Sequence, residues 1–314
     1  LVPADTNDNP SDAKMDEDRA SLTLGKDTDL GWGEWSTTLN DTFTHDHKIR
    51  GFIGNDQLAN PCCTPNSQGY DQSLDRTDIY FDTHLTFAPL DDLKMVSGFS
   101  YLYGSGQSQS ANFSYFIQPG GTNPPASTSV PVDDYSGLQD TRHFFGLYTQ
   151  ADWTFAPRWD YNLGLQLNHD LESLDATDFP TDPRLLAQRG GDHRDDTRFT
   201  GMMSLGYTAW QQDMDDLVIY GNYRNTFKPA ANNFDSGFSP SILQPETAQS
   251  YEVGAKGTLL QGRFDWESSL FLTNMNNTVI FVDMNGLPGS ANGGQNRFKG
   301  IELEADWRIT DDWR

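Results

Sequence analysis

Few residues in this 314-residue sequence stand at spacings that catalysis or metal binding would use. His45-Asp46-His47 places two imidazoles on one face of an extended segment, a pair that could chelate a transition metal but falls short of the usual ligand count. Cys62 and Cys63 are neighbours within Asn-Pro-Cys-Cys-Thr-Pro, which reads as a loop and fits no zinc spacing. An oxidised adjacent pair, or bridges to other chain segments, would suit an exported protein. The acidic runs Asp133-Asp134, Asp195-Asp196 and Asp213 to Asp216 could hold calcium, although solvated charge is the plainer expectation. Ser, His and Asp are plentiful, yet no Gly-x-Ser-x-Gly, His-Glu-x-x-His or phosphate-binding loop appears. The expectation is therefore no enzyme, no catalytic residue, no metal centre and no cofactor.

What holds such residues in place must be read from composition and pattern. Against 21 basic residues stand 45 acidic ones, and the net charge of -24 argues against nucleic acid as a partner. No stretch approaches the roughly 20 consecutive apolar residues of a membrane-spanning helix. A membrane barrel stays open, because its strands alternate apolar and polar side chains and keep mean hydropathy low, here -0.64.

Alternation of period two is the dominant signal. Over 76–88, Ile79, Phe81, Leu85 and Phe87 share one face while Asp82, His84 and Thr86 take the other. Over 141–155, Phe145, Leu147, Ala151, Trp153 and Phe155 oppose Tyr148, Gln150, Asp152 and Thr154. Tyr161, Leu163, Leu165 and Leu167 repeat the pattern after a tight connection at Pro157-Arg158, which predicts a hairpin. Near the end, Glu302, Glu304 and Asp306 stand opposite Ile301, Leu303, Ala305 and Trp307, a charge density that a water-filled lumen tolerates and a packed core does not.

Short turns near 89–92, 157–158, 213–216, 261–262 and 310–312 alternate with long polar loops over 46–75, 106–140, 171–194, 229–247 and 283–296. That regularity predicts an all-β fold, an antiparallel up-and-down transmembrane β-barrel, with about eleven strands of a larger barrel present. The alternative is a soluble β-sandwich that binds carbohydrate.

The segment from Val218 to Arg314 carries a family resemblance. Tyr220 to Pro229 ends in Phe-Lys-Pro, Leu243-Gln244 precede Pro245-Glu246, and Tyr251-Glu252-Val253-Gly254-Ala255-Lys256 follows. Then come Phe264 to Ile280, with an Asn-rich end, and Gly300-Ile301-Glu302. In order and spacing these resemble the late barrel of TonB-dependent outer-membrane receptors. The earlier part resembles the family in architecture alone.

Physical chemistry alone gives Pro245, Glu246, Tyr251, Glu252, Gly254, Lys256, Gly300 and Glu302 barrel-building roles: strand start, curvature and water-facing charge. The resemblance implies energy-coupled uptake of a ferric siderophore or similar scarce nutrient, in the outer membrane of a Gram-negative bacterium. It implies the TonB complex as a partner, through an N-terminal segment, and outer-membrane lipid and lipopolysaccharide as neighbours. It also implies a pore-filling plug and further strands. Neither the start nor the end of the sequence resembles these, so the expected domain is 1–314, a partial barrel lacking the N-terminal plug and the C-terminal strands. Loop aromatics Phe113, Tyr115, Phe116, Tyr135, Phe234 and Phe238 are the candidate ligand contacts, by stacking. Phe227-Lys228-Pro229 and Leu243-Gln244-Pro245 depart from the family's haem-receptor elements, which disfavours haem. A passive porin-like barrel is the runner-up.

Overall fold

The computed structural model describes residues 6–53, 65–118, 120–121, 123–229, 237–284, 287–310 and 313. Cys62, Cys63 and Phe234 lie outside the described residues.

Strand follows strand along the chain: β1 (Lys14–Asp29), β2 (Gly33–Ile53), β3 (Ser67–Leu90), β4 (Leu93–Tyr115), β5 (Val132–Ala156), β6 (Trp159–Pro180), β7 (Gln188–Gln212), β8 (Asp215–Lys228), β9 (Glu246–Leu259), β10 (Phe264–Asn276), β11 (Val279–Met284), β12 (Leu287–Asn292) and β13 (Gln295–Trp307). Eleven of them form one antiparallel sheet in the order β1 to β10 and then β13, while β11 and β12 pair separately. Every strand of the large sheet therefore lies beside its neighbour in that sequence order. That is the up-and-down arrangement expected, and it is not the pair of packed sheets a sandwich requires.

Alternation fixes the register. Trp153, Ala151, Leu147 and Phe145 of β5 stand on the same face as Tyr161, Leu163, Leu167 and His169 of β6, through the pairs Trp153–Tyr161, Ala151–Leu163, Leu147–Leu167 and Phe145–His169. Leu147, Leu167 and Phe199 form one row of this outward face and are 60%, 45% and 60% exposed, which only an apolar solvent would favour. From Trp153 to Phe145 the apolar band is about the length of strand that crosses a bilayer when tilted. Above it, His143, His169, Tyr101 and Tyr103 mark an interfacial belt: Tyr101 and His143 lie 2.9 Å apart at Oη and Nδ1, and the Tyr101 and Phe145 rings are 4.9 Å apart.

The strands exceed the expected lengths, and three of the expected loops shrink accordingly. β2 continues to Ile53 and β3 begins at Ser67, β4 continues to Tyr115 and β5 begins at Val132, and β6 reaches Pro180 before β7 starts at Gln188. Above the belt both faces are polar or small, as in Gln107-Ser108-Gln109-Ser110, so hydropathy loses the alternation while the backbone pairing continues without a break. Much of the expected last loop, 283–296, is likewise occupied by the β11–β12 hairpin. The strand expected over Phe264 to Ile280 ends early: Asn277 adopts φ 56°, and Val279 starts the hairpin instead.

Two glycines of the family pattern have a steric reason. A Cβ on Gly254 would meet the Tyr220 ring at 2.6 Å, and one on Gly300 would meet the Phe271 ring at 2.9 Å. Each glycine is the direct cross-strand partner of the aromatic residue that covers it. Gly254→Val should displace Tyr220 and destabilise the wall by about 1–3 kcal/mol, measured as a lower thermal unfolding midpoint in detergent. An unchanged midpoint would show that the ring's position is incidental.

Candidate ligand-binding wall

The inward face above the apolar band is lined by charge. Arg76 Nη2 lies 2.8 Å from Asp46 Oδ2, Arg142 Nη2 lies 2.7 Å from Glu172 Oε1, and Arg198 Nε lies 2.7 Å from Asp196 Oδ2. Register explains the grouping, since Arg142, Glu172 and Arg194 are direct partners across β5, β6 and β7. The Glu172 side chain is fully buried against Arg142. Asp170, next on that face, is 1% exposed. Burial raises its pKa first, Arg142 opposes this, and Glu172 raises it again.

A chain segment is folded onto this wall. Between β8 and β9, Ile242 packs with Leu138, Leu174 and Ala176 in a buried cluster that Phe238 flanks. The Ile242 amide donates to Asp192 Oδ2 at 2.8 Å, and the Arg194 guanidinium donates to the carbonyls of Ile242 and Leu243. Beside β4, a second cluster joins Phe113, Tyr115 and Ile117 to Ile53 and Val130. Residues 6–12 close over it: Tyr115 Oη donates to the Asp8 carbonyl, and Asp12 accepts from Ser127 N and Oγ, both at 2.7 Å.

The structure thus separates the candidate aromatics. Phe113 and Tyr115 are 3% and 4% exposed and pack the β4–β5 connection. Phe238 supports Ile242, Phe116 is 42% exposed, and Tyr135 is 52% exposed. Unbroken register places Tyr135 on the outward face, beside Ala111 and Phe179. The pattern residues sit lower. Pro245 is fully buried, and Glu246 accepts from the Val279 amide at 2.7 Å while facing Lys228 at 3.7 Å. Tyr251 meets the Tyr223 ring at 5.1 Å on the lipid side. On the inward side Tyr220 Oη reaches Glu252 at 2.9 Å and Glu267, with Lys256 5.7 Å from its ring centre. Glu302 is exposed on the same inward face, opposite Ser269.

His45 and His47 point outward from β2 and meet Asp75 and Asp71, each at 2.7 Å, while Asp46 points inward to Arg76. Among the described residues no three His, Cys, Asp or Glu side chains group to hold a metal. Sequence reasoning missed the Arg142, Asp170, Glu172, Arg194 and Asp196 network because it assigned Glu172 and Arg194 to a loop and did not pair the strands on either side. The signal was nonetheless present, as charges at every second residue in Asp170-Leu-Glu172 and Arg194-Asp-Asp196-Thr-Arg198.

Two outcomes follow from this electrostatics. Arg142→Ala leaves Glu172 buried without its cation and should cost about 3–5 kcal/mol, and Arg142→Met with Glu172→Gln should recover most of the loss in thermal unfolding. At the rim, burial raises the carboxyls of Asp134 and Asp178 above the ordinary 3.8. The folded rim thus binds protons more tightly than the opened rim. Its extra stability is complete below 3.8 and is lost as pH rises through the raised values. Hydrogen exchange around Ser136, corrected for intrinsic rates, should show less protection at pH 7 than at pH 4, and Asp178→Asn should weaken that dependence.

A family model described as TonB dependent receptor-like, beta-barrel matches residues 2–314. The chain is 23% identical over 233 residues to the pesticin receptor of Yersinia enterocolitica, covering 73% of this chain and 31% of that protein. It is 28% identical over 102 residues to the probable TonB-dependent siderophore receptor PiuA of Acinetobacter baumannii, covering 30% of this chain and 13% of that one. Its fold is similar to the crystal structure of the ferric yersiniabactin uptake receptor FyuA from Yersinia pestis, with a TM-score of 0.71 at 18% identity over 98% of this chain and 42% of that one. The siderophore receptor PiuA from Acinetobacter baumannii gives a TM-score of 0.65 at 15% identity over 98% and 48%. The chain spans under half the length of each of these proteins. With an outward apolar band, an inward wall of paired charge and a match along nearly its whole length, the chain belongs to the TonB-dependent receptor-like β-barrel family.

Proposed function

We propose that this chain forms about half the wall of an outer-membrane receptor that imports a ferric siderophore or a similar scarce nutrient, with energy supplied through the TonB complex. The observation that carries the reading is the contrast between the two faces of one sheet. The outward face offers rows such as Leu147, Leu167 and Phe199 to lipid. The inward face buries Asp46, Asp170 and Glu172 among arginines, and a connection is folded onto it. A wide passive channel would leave such a wall open to water. The pesticin and siderophore receptors among its relatives support the choice of cargo.

On this reading the rest of the receptor supplies the plug, the TonB-contacting segment and the remaining strands, and catalysis plays no part. Of the candidate aromatics, Phe116 is the proposed stacking contact, a reading supported by the exposure of its ring in the β4–β5 connection. Phe238 would act indirectly, through the connection it supports.

The test is uptake of radiolabelled iron, presented as a panel of ferric siderophores to iron-starved cells with and without the gene. Uptake that needs both the gene and a functional TonB complex is expected. Uptake that persists when TonB is removed would make the protein a passive barrel and overturn the proposal.

A further inference from the structure

Asp170 occupies a position in the inward wall that no ion pair accounts for. It is 1% exposed, and neither of its carboxyl oxygens meets a hydrogen-bond partner among the described residues. Its direct cross-strand neighbours are Phe144 on β5 and a second carboxyl, Asp196, on β7. Burial raises its pKa, Arg142 and Arg194 pull it down, and Glu172 and Asp196 push it up. An ionised carboxylate here would be desolvated, without a partner and opposite a like charge, so the side chain keeps its proton.

Three arginines stand near this carboxyl, and two of them are committed to others. Arg142 Nη2 lies 2.7 Å from Glu172, and Arg198 Nε lies 2.7 Å from Asp196. Arg194 pairs with no carboxylate among the described residues, and its guanidinium donates instead to the carbonyls of Ile242 and Leu243. As the cross-strand partner of Glu172, Arg194 stands diagonal to Asp170 on the same face, within reach of a long side chain.

The charges around Asp170 come from three strands: Asp140 and Arg142 from β5, Glu172 from β6, and Asp192, Arg194, Asp196 and Arg198 from β7. From β8 comes Phe227, whose ring stacks on Phe144 at 6.1 Å, while Lys228 faces Glu246 at 3.7 Å. The connection docked on the wall, 237–245, carries no titratable side chain. Any dependence of its docking on pH must therefore arise in the wall beneath it.

We infer that Asp170 and Arg194 form a proton-dependent clamp on the β8–β9 connection. While Asp170 keeps its proton, Arg194 holds the Ile242 and Leu243 carbonyls. When Asp170 gives its proton to solvent, Arg194 turns to the new carboxylate and releases the connection. The arginine thereby exchanges two neutral acceptors for a charged one, which binds it more strongly. Docking binds the Asp170 proton more tightly than release does, because release leaves the carboxyl hydrated and beside a cation. Docking is thus fully supported below the ordinary 3.8 and weakens as pH rises through the raised value. The landing site of Ile242 among Leu138, Leu174 and Ala176 does not titrate, so the connection can return when the proton does. The clamp is independent of the identity of the cargo.

Hydrogen exchange of the Ser241 to Gln244 amides, measured in the full-length receptor in detergent at pH 4 and pH 8 and corrected for intrinsic rates, tests the clamp. Protection should fall about tenfold or more at pH 8, the change expected on losing one hydrogen bond from a charged donor. Asp170→Asn preserves the shape but has no proton to lose, and should hold the connection at both pH values. Arg194→Met should lower protection at pH 4 to the wild-type level at pH 8 and abolish any further change. Equal wild-type protection at the two pH values overturns the clamp. An Asp170→Asn variant with the wild-type dependence also overturns it, by assigning the effect to another group. Full protection of Arg194→Met at pH 4 removes the arginine from the device and refutes the exchange. Exchange of the paired amides from Tyr161 to Leu167 shows whether each variant wall is folded, and Asp170→Ser gives the same reading if Asp170→Asn is not. Iron uptake that persists without TonB would refute the proposed function and leave the clamp standing.

Discussion

In hydrocarbon, no water is available to a peptide group, so every N–H and C=O within the band must be paired by another strand. The rest of the structure depends on that constraint. It forces β1 to β10 and β13 into one ladder, and continuous register then assigns each side chain to lipid or to the interior. Leu147 and Tyr148 are adjacent in sequence, yet one faces the bilayer and the other reaches Asp82 at 2.9 Å on the inward side.

Once the two faces are fixed, their chemistry separates. The outward face needs apolar bulk and little specificity. The inward face accumulates charge, and buried charge demands a partner of opposite sign at hydrogen-bond distance. Arg142 and Glu172 meet this demand because register puts them side by side, and Arg194 extends the row while also holding the carbonyls of Ile242 and Leu243. The same row that neutralises the wall therefore anchors the connection folded over it.

Most of the architecture was legible in the sequence, because within the band the period-two contrast is between leucine and asparagine or between phenylalanine and tyrosine. Ile79, Phe81, Leu85 and Phe87 announced β3 in this way. Legibility failed where both faces are polar: Gln107 to Ser110 and Leu171 to Arg194 read as loops, although backbone pairing continues through most of them. Failure at the site had a different cause. Aromatic residues in polar surroundings looked available for stacking, yet Phe113 and Tyr115 are consumed in packing their own connection. Exposure of an aromatic ring is a tertiary property, and periodicity carries no information about what folds over it. The Gly254 and Gly300 positions were recognised by pattern, while their cause, an aromatic ring lying across each glycine from the next strand, needed the register.

The order of strands in the sheet bears on how such a wall is made. Each strand of the large sheet pairs only with the strands before and after it, apart from the step from β10 over the small hairpin to β13. Connections such as Leu30 to Trp32 and Leu260 to Arg263 are a few residues long, so closing each hairpin costs little chain entropy. The wall can consequently grow by adding one hairpin at a time to an existing edge, with each new strand reading its alignment from the last. Assembly of this kind is directional, and an error of one residue at an early strand would be inherited by every strand that follows.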